Sequence, residues 1–158
     1  MEKKVIGNIT WVNLNNPNLG DIRTLIDSHH VDATFGDELV SPSLRPHSAI
    51  SHETFFISLQ IPIFVSEGKR VFIKNTEVDF VIKPNSLVTV SYTAKDQDVF
   101  DNFDKFFETE SILAKHVHFS GTKLFYELMT HLYKSLFDHL DQSRDALRES
   151  EENIFDGK

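Results

Sequence analysis

The chain has 158 residues, 40% of them hydrophobic and 11% aromatic, with Phe alone occurring 14 times, ample material for one packed domain and too apolar for a disordered chain. Lys+Arg 16 against Asp+Glu 24 leaves a formal charge of -8, which repels phosphate backbones and anionic lipid, argues against nucleic acid as a partner, and suits cations. The absence of Cys excludes disulfides, thiolate metal sites and thiol nucleophiles; no apolar run approaches the roughly 18 residues that a membrane helix needs, and Met1-Glu2-Lys3-Lys4 opens no signal-peptide pattern.

In chain order, residues 5–14 mix β-branched side chains with Trp11 and predict one strand. Asn15-Asn16-Pro17 then reads as a helix start, with Asn16 as N-cap and Pro17 in the first turn. Leu19, Ile22, Leu25 and Ile26 fall on one face of that helix. Asp37-Glu38-Leu39 predicts a short helical turn leading into Ser41-Pro42-Ser43-Leu44-Arg45-Pro46, where two prolines forbid regular structure. Residues 54–61 predict a strand closing at Pro62, with 63–65 as an optional continuation, and Glu67-Gly68-Lys69 turns the chain. Residues 71–82 and 87–92 predict two more strands, joined by Lys83-Pro84-Asn85-Ser86 as an antiparallel hairpin. Phe100, Phe103, Phe106 and Phe107 recur at helical spacing behind Asp98 as a cap, and read as core rather than a base-stacking platform.

From Ser120-Gly121-Thr122 no Pro or Gly interrupts the chain until Gly157, which at about 1.5 Å per residue means on the order of 50 Å of helix. Its first half is broadly apolar, from Leu124 and Phe125 through Leu128, Leu132 and Leu136 to Leu140; its second half keeps only Leu140, Leu147 and Ile154 at seven-residue spacing. A wide apolar stripe covers a sheet, whereas a narrow seam seeks one partner helix. The expectation is therefore an α/β (α+β) fold. A mixed sheet flanked by helices occupies residues 1–121, and a long helix over 122–158 continues the same domain, its second half projecting to meet a partner.

Among the 8 histidines, His116 and His118 have a usable zinc spacing on a strand, His29-His30 are adjacent, and His131 and His139 lie on the long helix. No His-Glu-x-x-His, Gly-x-Ser-x-Gly or Gly-rich phosphate loop occurs, so these histidines read as surface or satisfied groups and the chain is not expected to be an enzyme. Carboxylates remain: Asp37-Glu38 beside the Pro-bounded segment, and Asp138, Asp141 and Asp145 along the long helix. Clustered oxygen ligands suit hard cations such as Mg²⁺ or Ca²⁺; the plainer alternative is a solvated helix face and acids at a helix N-terminus.

The run Trp11-Val12-Asn13-Leu14-Asn15-Asn16-Pro17 resembles the opening of the CorA-type divalent-cation transporter family. The resemblance continues through Asp37-Glu38-Leu39, Arg45-Pro46-His47, the strand at Phe55-Phe56-Ile57-Ser58-Leu59, the pair Glu77-Val78-Asp79-Phe80-Val81-Ile82 and Leu87-Val88-Thr89-Val90, and the helix from Leu124 to Phe155. It implies the cytoplasmic domain, on the inner side of the cell membrane, of a homopentameric Mg²⁺/Co²⁺ channel or of a zinc-transporting relative, without an organic cofactor. It also implies that the long helix is the first arm of a hairpin whose second arm, stalk and membrane helices lie later in the complete protein. The seam Leu140, Leu147 and Ile154 is then expected to pair with that arm, and this chain alone to be a monomer or a weak dimer. By the same resemblance Glu38, with Asp37 beside it, occupies the place of an acid that holds a regulatory divalent cation between subunits. Thr130 and Lys134 stand where the family usually has Asp, and His47 where it has Lys, which marks a divergent branch. Two other classes compete: a freestanding interaction module that pairs through its last helix, and a zinc hydrolase built on the histidines.

Overall fold

The computed structural model describes residues 1–43, 45–67, 70–93, 99–100 and 120–155. In order these form β1 (Glu2–Ile6), β2 (Ile9–Asn15), α1 (Leu19–His29), two single-turn 3-10 helices (Ala33–Phe35 and Glu38–Val40), β3 (His47–Ser51), β4 (Thr54–Glu67), β5 (Arg70–Lys83), β6 (Ser86–Ser91) and α2 (Gly121–Phe155). The six strands make one sheet in the order β1-β2-β6-β5-β4-β3. Only β2 and β6 run parallel; every other neighbouring pair is antiparallel. This is the mixed α+β sheet expected from the sequence, with a 35-residue terminal helix. The chain divides into two compact units, Met1–Phe125 and Tyr126–Lys158.

Several local expectations change. The strand predicted over residues 5–14 is two strands, because Gly7 at φ 59 makes a tight turn and lets β1 pair back on β2. The N-cap of α1 is Asn18 rather than Asn16. Its side-chain oxygen accepts from the Gly20 and Asp21 amides at 2.7 and 3.1 Å, while the Asp21 carboxylate accepts from the Asn18 amide at 3.0 Å, a reciprocal capping box that Asn16 cannot match. Asn16 instead takes φ 48, leaving β2. Strand β4 does not close at Pro62. Its outer neighbour β3 reaches only as far as Ser58, so beyond that point Pro62 has β5 alone to pair with, opposite Asn75, and its missing N–H is tolerated. Strand β3, beginning at His47, has no counterpart among the sequence expectations. The helix expected around Phe103, Phe106 and Phe107, with its cap Asp98, lies outside the described residues, as do His116 and His118.

Both faces of the sheet are covered. On one, Val12, Leu14, Phe56, Val81, Val88 and Val90 pack under Ile22 and Leu25 of α1 and under Phe35 and Leu39 of the 3-10 turns. Phe35 stacks on Phe56 with ring centroids 5.2 Å apart. On the other face Trp11 and Phe80 both meet Phe100 edge-on, and Phe80 also meets Phe125 at 5.0 Å. The Trp11 indole N–H donates to the Thr89 hydroxyl, which donates to the Asn13 side chain at 2.7 Å, satisfying polar groups that the strand alternation buries. Gly121 starts α2 against the β5–β6 turn. A Cβ there would lie 2.1 Å from the Lys83 carbonyl oxygen and 2.4 Å from that of Ser86, so only glycine fits the approach.

Candidate functional site

The face under α1 ends in polar groups, and two adjacent cross-strand rows show the change. One runs Ala49, Phe56, Val81, Val88, Val12; the next runs His47, Ser58, Asp79, Val90, Leu14. Asp79 is almost wholly buried. One carboxyl oxygen accepts from the Tyr92 hydroxyl at 2.6 Å, and the other, Oδ1, has no hydrogen-bond partner among the described residues. Burial pushes this carboxyl up to about 6, against the pull of the Tyr92 hydroxyl. Burial likewise holds the Tyr92 hydroxyl far above its ordinary range, with Asp79 adding to the effect. Glu77, two residues before Asp79 on the same face of β5, is also buried but fully engaged. It accepts from the Ser43 amide and hydroxyl at 2.5 and 3.0 Å, and from the Gln60 side chain at 3.0 Å. Those bonds tie the segment before Arg45 onto β4 and β5.

Glu38 and Asp37 lie at this end. Asp37 is exposed and its side chain caps nothing, whereas Glu38 opens the second 3-10 turn, whose next residue, Leu39, is fully buried. The Tyr92 hydroxyl reaches the Glu38 carbonyl at 3.4 Å. The Glu38 carboxylate, its side chain 37% exposed, contacts His47 Nε2 across to β3. That carboxylate raises the His47 imidazole above its ordinary value, burial working against it. His47 Nδ1 stands 3.2 Å from the Arg45 carbonyl, and the ring lies 5.2 Å from that of Phe56. The expected pair of acids is therefore one fixed carboxylate, already matched with an imidazole, and one free-standing neighbour.

The other sequence candidates do not converge. His29 and His30 end α1, with His30 in the left-handed conformation at its C-cap. His52 is exposed at a turn, 3.4 Å from Asp32. That carboxylate is held well below its usual range by the Ser51 hydroxyl and the Thr34 amide. On α2, Asp138, Asp141 and Asp145 are exposed, and Asp141 pairs with Arg144 at 3.0 Å. Leu140 of the predicted seam is 43% exposed, with Tyr133 and Phe137 exposed on the same helix; the side chains of Leu147 and Ile154 lie outside the described set. Among the described residues no three His, Asp or Glu groups converge as a metal site. Sequence reasoning overlooked the buried Asp79–Tyr92–Glu77 cluster, although two acids spaced by two in an apolar strand are its signature.

The family of CorA-like Mg²⁺ transporter proteins matches residues 7–158. No curated protein sequence matches. Among solved structures, the soluble domain of CorA from Methanocaldococcus jannaschii is similar with a TM-score of 0.72 at 16% identity, over 94% of this chain and 56% of that one. The complete CorA magnesium transporter from the same organism gives 0.68 at 16% identity, over 94% of this chain and 44% of the transporter. The ZntB cytoplasmic domain from Vibrio parahaemolyticus gives 0.55 at 18% identity, over 91% of this chain and 55% of that one. The chain thus spans about half the length of the structures it matches. Among the described residues no helix is long and apolar enough to cross a membrane.

Proposed function

This chain belongs to the family of CorA-like Mg²⁺ transporter proteins, and from that premise we propose that it is the cytoplasmic regulatory domain of a divalent-cation channel. Its family is one of transporters and not of enzymes. In the complete protein the domain works beside its own membrane-spanning region and neighbouring subunits, in a homopentamer, sensing Mg²⁺ or Co²⁺ and gating its passage. The seam at Leu140, Leu147 and Ile154 meets another helix of that assembly, a role supported by the exposure of Leu140, Tyr133 and Phe137.

The observation that carries the regulatory reading is the setting of Glu38. Its backbone is pinned by buried Leu39, yet its carboxylate reaches solvent. A carboxylate so placed is held in position and still reachable by a ligand on a neighbouring subunit. A cation bridging Glu38, with Asp37 adding charge, to that neighbour binds the closed assembly better than the open one. Rising internal cation then shifts the population toward closure. So exposed an oxygen site is weak, in the millimolar range typical of the weakest oxygen-ligand sites. Glu38→Arg in the complete transporter, assayed by ion flux at fixed internal Mg²⁺, is expected to leave the channel conducting at Mg²⁺ levels that close the parent. Unchanged Mg²⁺ dependence removes Glu38 from the mechanism.

A further inference from the structure

We propose that the Tyr92 hydroxyl is a proton-operated pin for the Glu38 turn: its single hydrogen serves the Asp79 carboxylate while that group is charged, and passes to the Glu38 main-chain carbonyl once Asp79 is protonated. The pin stands on hydrogen-bond geometry; that it tunes cation gating rests on the regulatory reading of Glu38.

One donor between two acceptors carries the inference. The Tyr92 hydroxyl oxygen lies 2.6 Å from Asp79 Oδ2 and 3.4 Å from the Glu38 carbonyl oxygen. An ionised carboxylate and a carbonyl only accept, and a phenol has one hydrogen to give. The short contact is that of a hydroxyl donating to a charged oxygen, and the long one that of a bond left loose. A proton taken up by Asp79 reverses the order. Placed on Oδ2, it is donated to the Tyr92 oxygen, and the Tyr92 hydrogen is released to Glu38. Oδ1 has no hydrogen-bond partner among the described residues, so a proton seated there would be a buried donor left unmade, which disfavours it.

The framework around this hydrogen is already fixed. Asp79 pairs with Val90 across β5 and β6, and Tyr92 stands two residues beyond Val90, the diagonal that a long aromatic side chain can reach. Leu39, fully buried, seats the turn. Charges on the neighbouring elements set where the exchange falls. Burial pushes the Asp79 carboxyl up to about 6, and Glu77 on β5 adds to the rise. The Tyr92 and Ser58 hydroxyls and His47 on β3 work against it. The Glu38 carboxylate itself is turned to His47. A fall in pH through about 6 thus ties the turn to the sheet, and a rise loosens it. A tied turn holds the Glu38 carboxylate ready for a cation bridging to a neighbouring subunit, so acid strengthens cation-driven closure.

The test is ¹³C and ¹⁵N NMR of the labelled 158-residue chain between pH 4.5 and 7.5. The Glu38 carbonyl carbon and the Leu39 amide nitrogen are expected to shift with the same midpoint as the Asp79 carboxyl carbon. In Tyr92→Phe the Asp79 carboxyl should still titrate while the Glu38 carbonyl stays still. Asp79→Asn should abolish the response at the turn. His47→Gln should raise the midpoint and keep the response, with the imidazole shifts of the parent recording the His47 titration separately. Thermal melts identify a variant that fails to fold, and either folded Tyr92→Phe or folded Asp79→Asn decides the matter. The proposal is overturned by a Glu38 carbonyl that stays still while Asp79 titrates, by a response that follows the His47 ring instead, or by a folded Tyr92→Phe or Asp79→Asn chain that keeps it. No transport enters this readout. A failed titration with Mg²⁺-dependent gating still sensitive to Glu38→Arg sinks the pin alone, and the reverse pattern sinks the gating reading alone.

Discussion

Two neighbouring rows of one sheet face make the instructive contrast in this molecule. Ala49, Phe56, Val81, Val88 and Val12 close against α1 with carbon only, whereas His47, Ser58 and Asp79, one step along the same strands, bring an imidazole, a hydroxyl and a buried carboxyl to the same surface. The first row gains from every atom it removes from water. The second leaves the Asp79 Oδ1 atom buried without a hydrogen-bond partner among the described residues, a net cost to folding. A sheet that keeps such a row next to a well-packed one is using the first to hold the second in place, with the Glu38 turn resting on the boundary.

Breaking the apolar row should have the largest effect. Phe56 is fully buried and stacked on Phe35, so Phe56→Ala is expected to cost about 3 to 5 kcal/mol in urea denaturation. It should also loosen the His47 ring that leans on it. A smaller loss than at an exposed position such as Phe72 would mean that the row is not the structural anchor.

The polar row is sharpened by pH. Asp79 titrates at about 6 in the folded chain, above the ordinary carboxyl value of 3.8. The folded state therefore binds this proton more tightly than the unfolded state does. The associated stability is full below about 4, is lost as pH rises through about 6, and stays lost above. The loss is on the order of 3 kcal/mol. Asp79→Asn is expected to remove this fall, so the difference in unfolding free energy between parent and variant should change between pH 4 and 6.5. A constant difference across that range would show that the buried carboxyl is not strained by its setting. The smallest effect belongs to a site off both rows. Asn18→Ala should cost about 1 kcal/mol through loss of the α1 cap and leave the His47 imidazole shifts where they were. Movement of those shifts would tie α1 to the polar row.

Much of the architecture was legible because it depends on local period and punctuation. The β5–β6 hairpin followed from apolar strands flanking Pro84-Asn85, and α2 from a long run free of Pro and Gly. The 3-10 turn at Glu38 followed from an acidic start before a Pro-bounded loop. The misses have local causes too. A single glycine at positive φ split the first strand, and the cap of α1 moved two residues because Asp21 completes a reciprocal pair with Asn18. Strand β3 was hidden because five residues beginning at His47, only partly apolar, carry no strong alternation; the long neighbour β4 supplies its pairing.

The sequence by itself determined that this is a charged, cysteine-free α+β chain with the order of motifs of its family, and it singled out Glu38 and Asp37. Only the tertiary structure decided what faces them. His47 is nine residues from Glu38 and reaches it because β3 pairs on β4; Asp79 joins the same row because β4 pairs on β5. Such meetings depend on strand register between segments far apart in sequence, which no local propensity encodes.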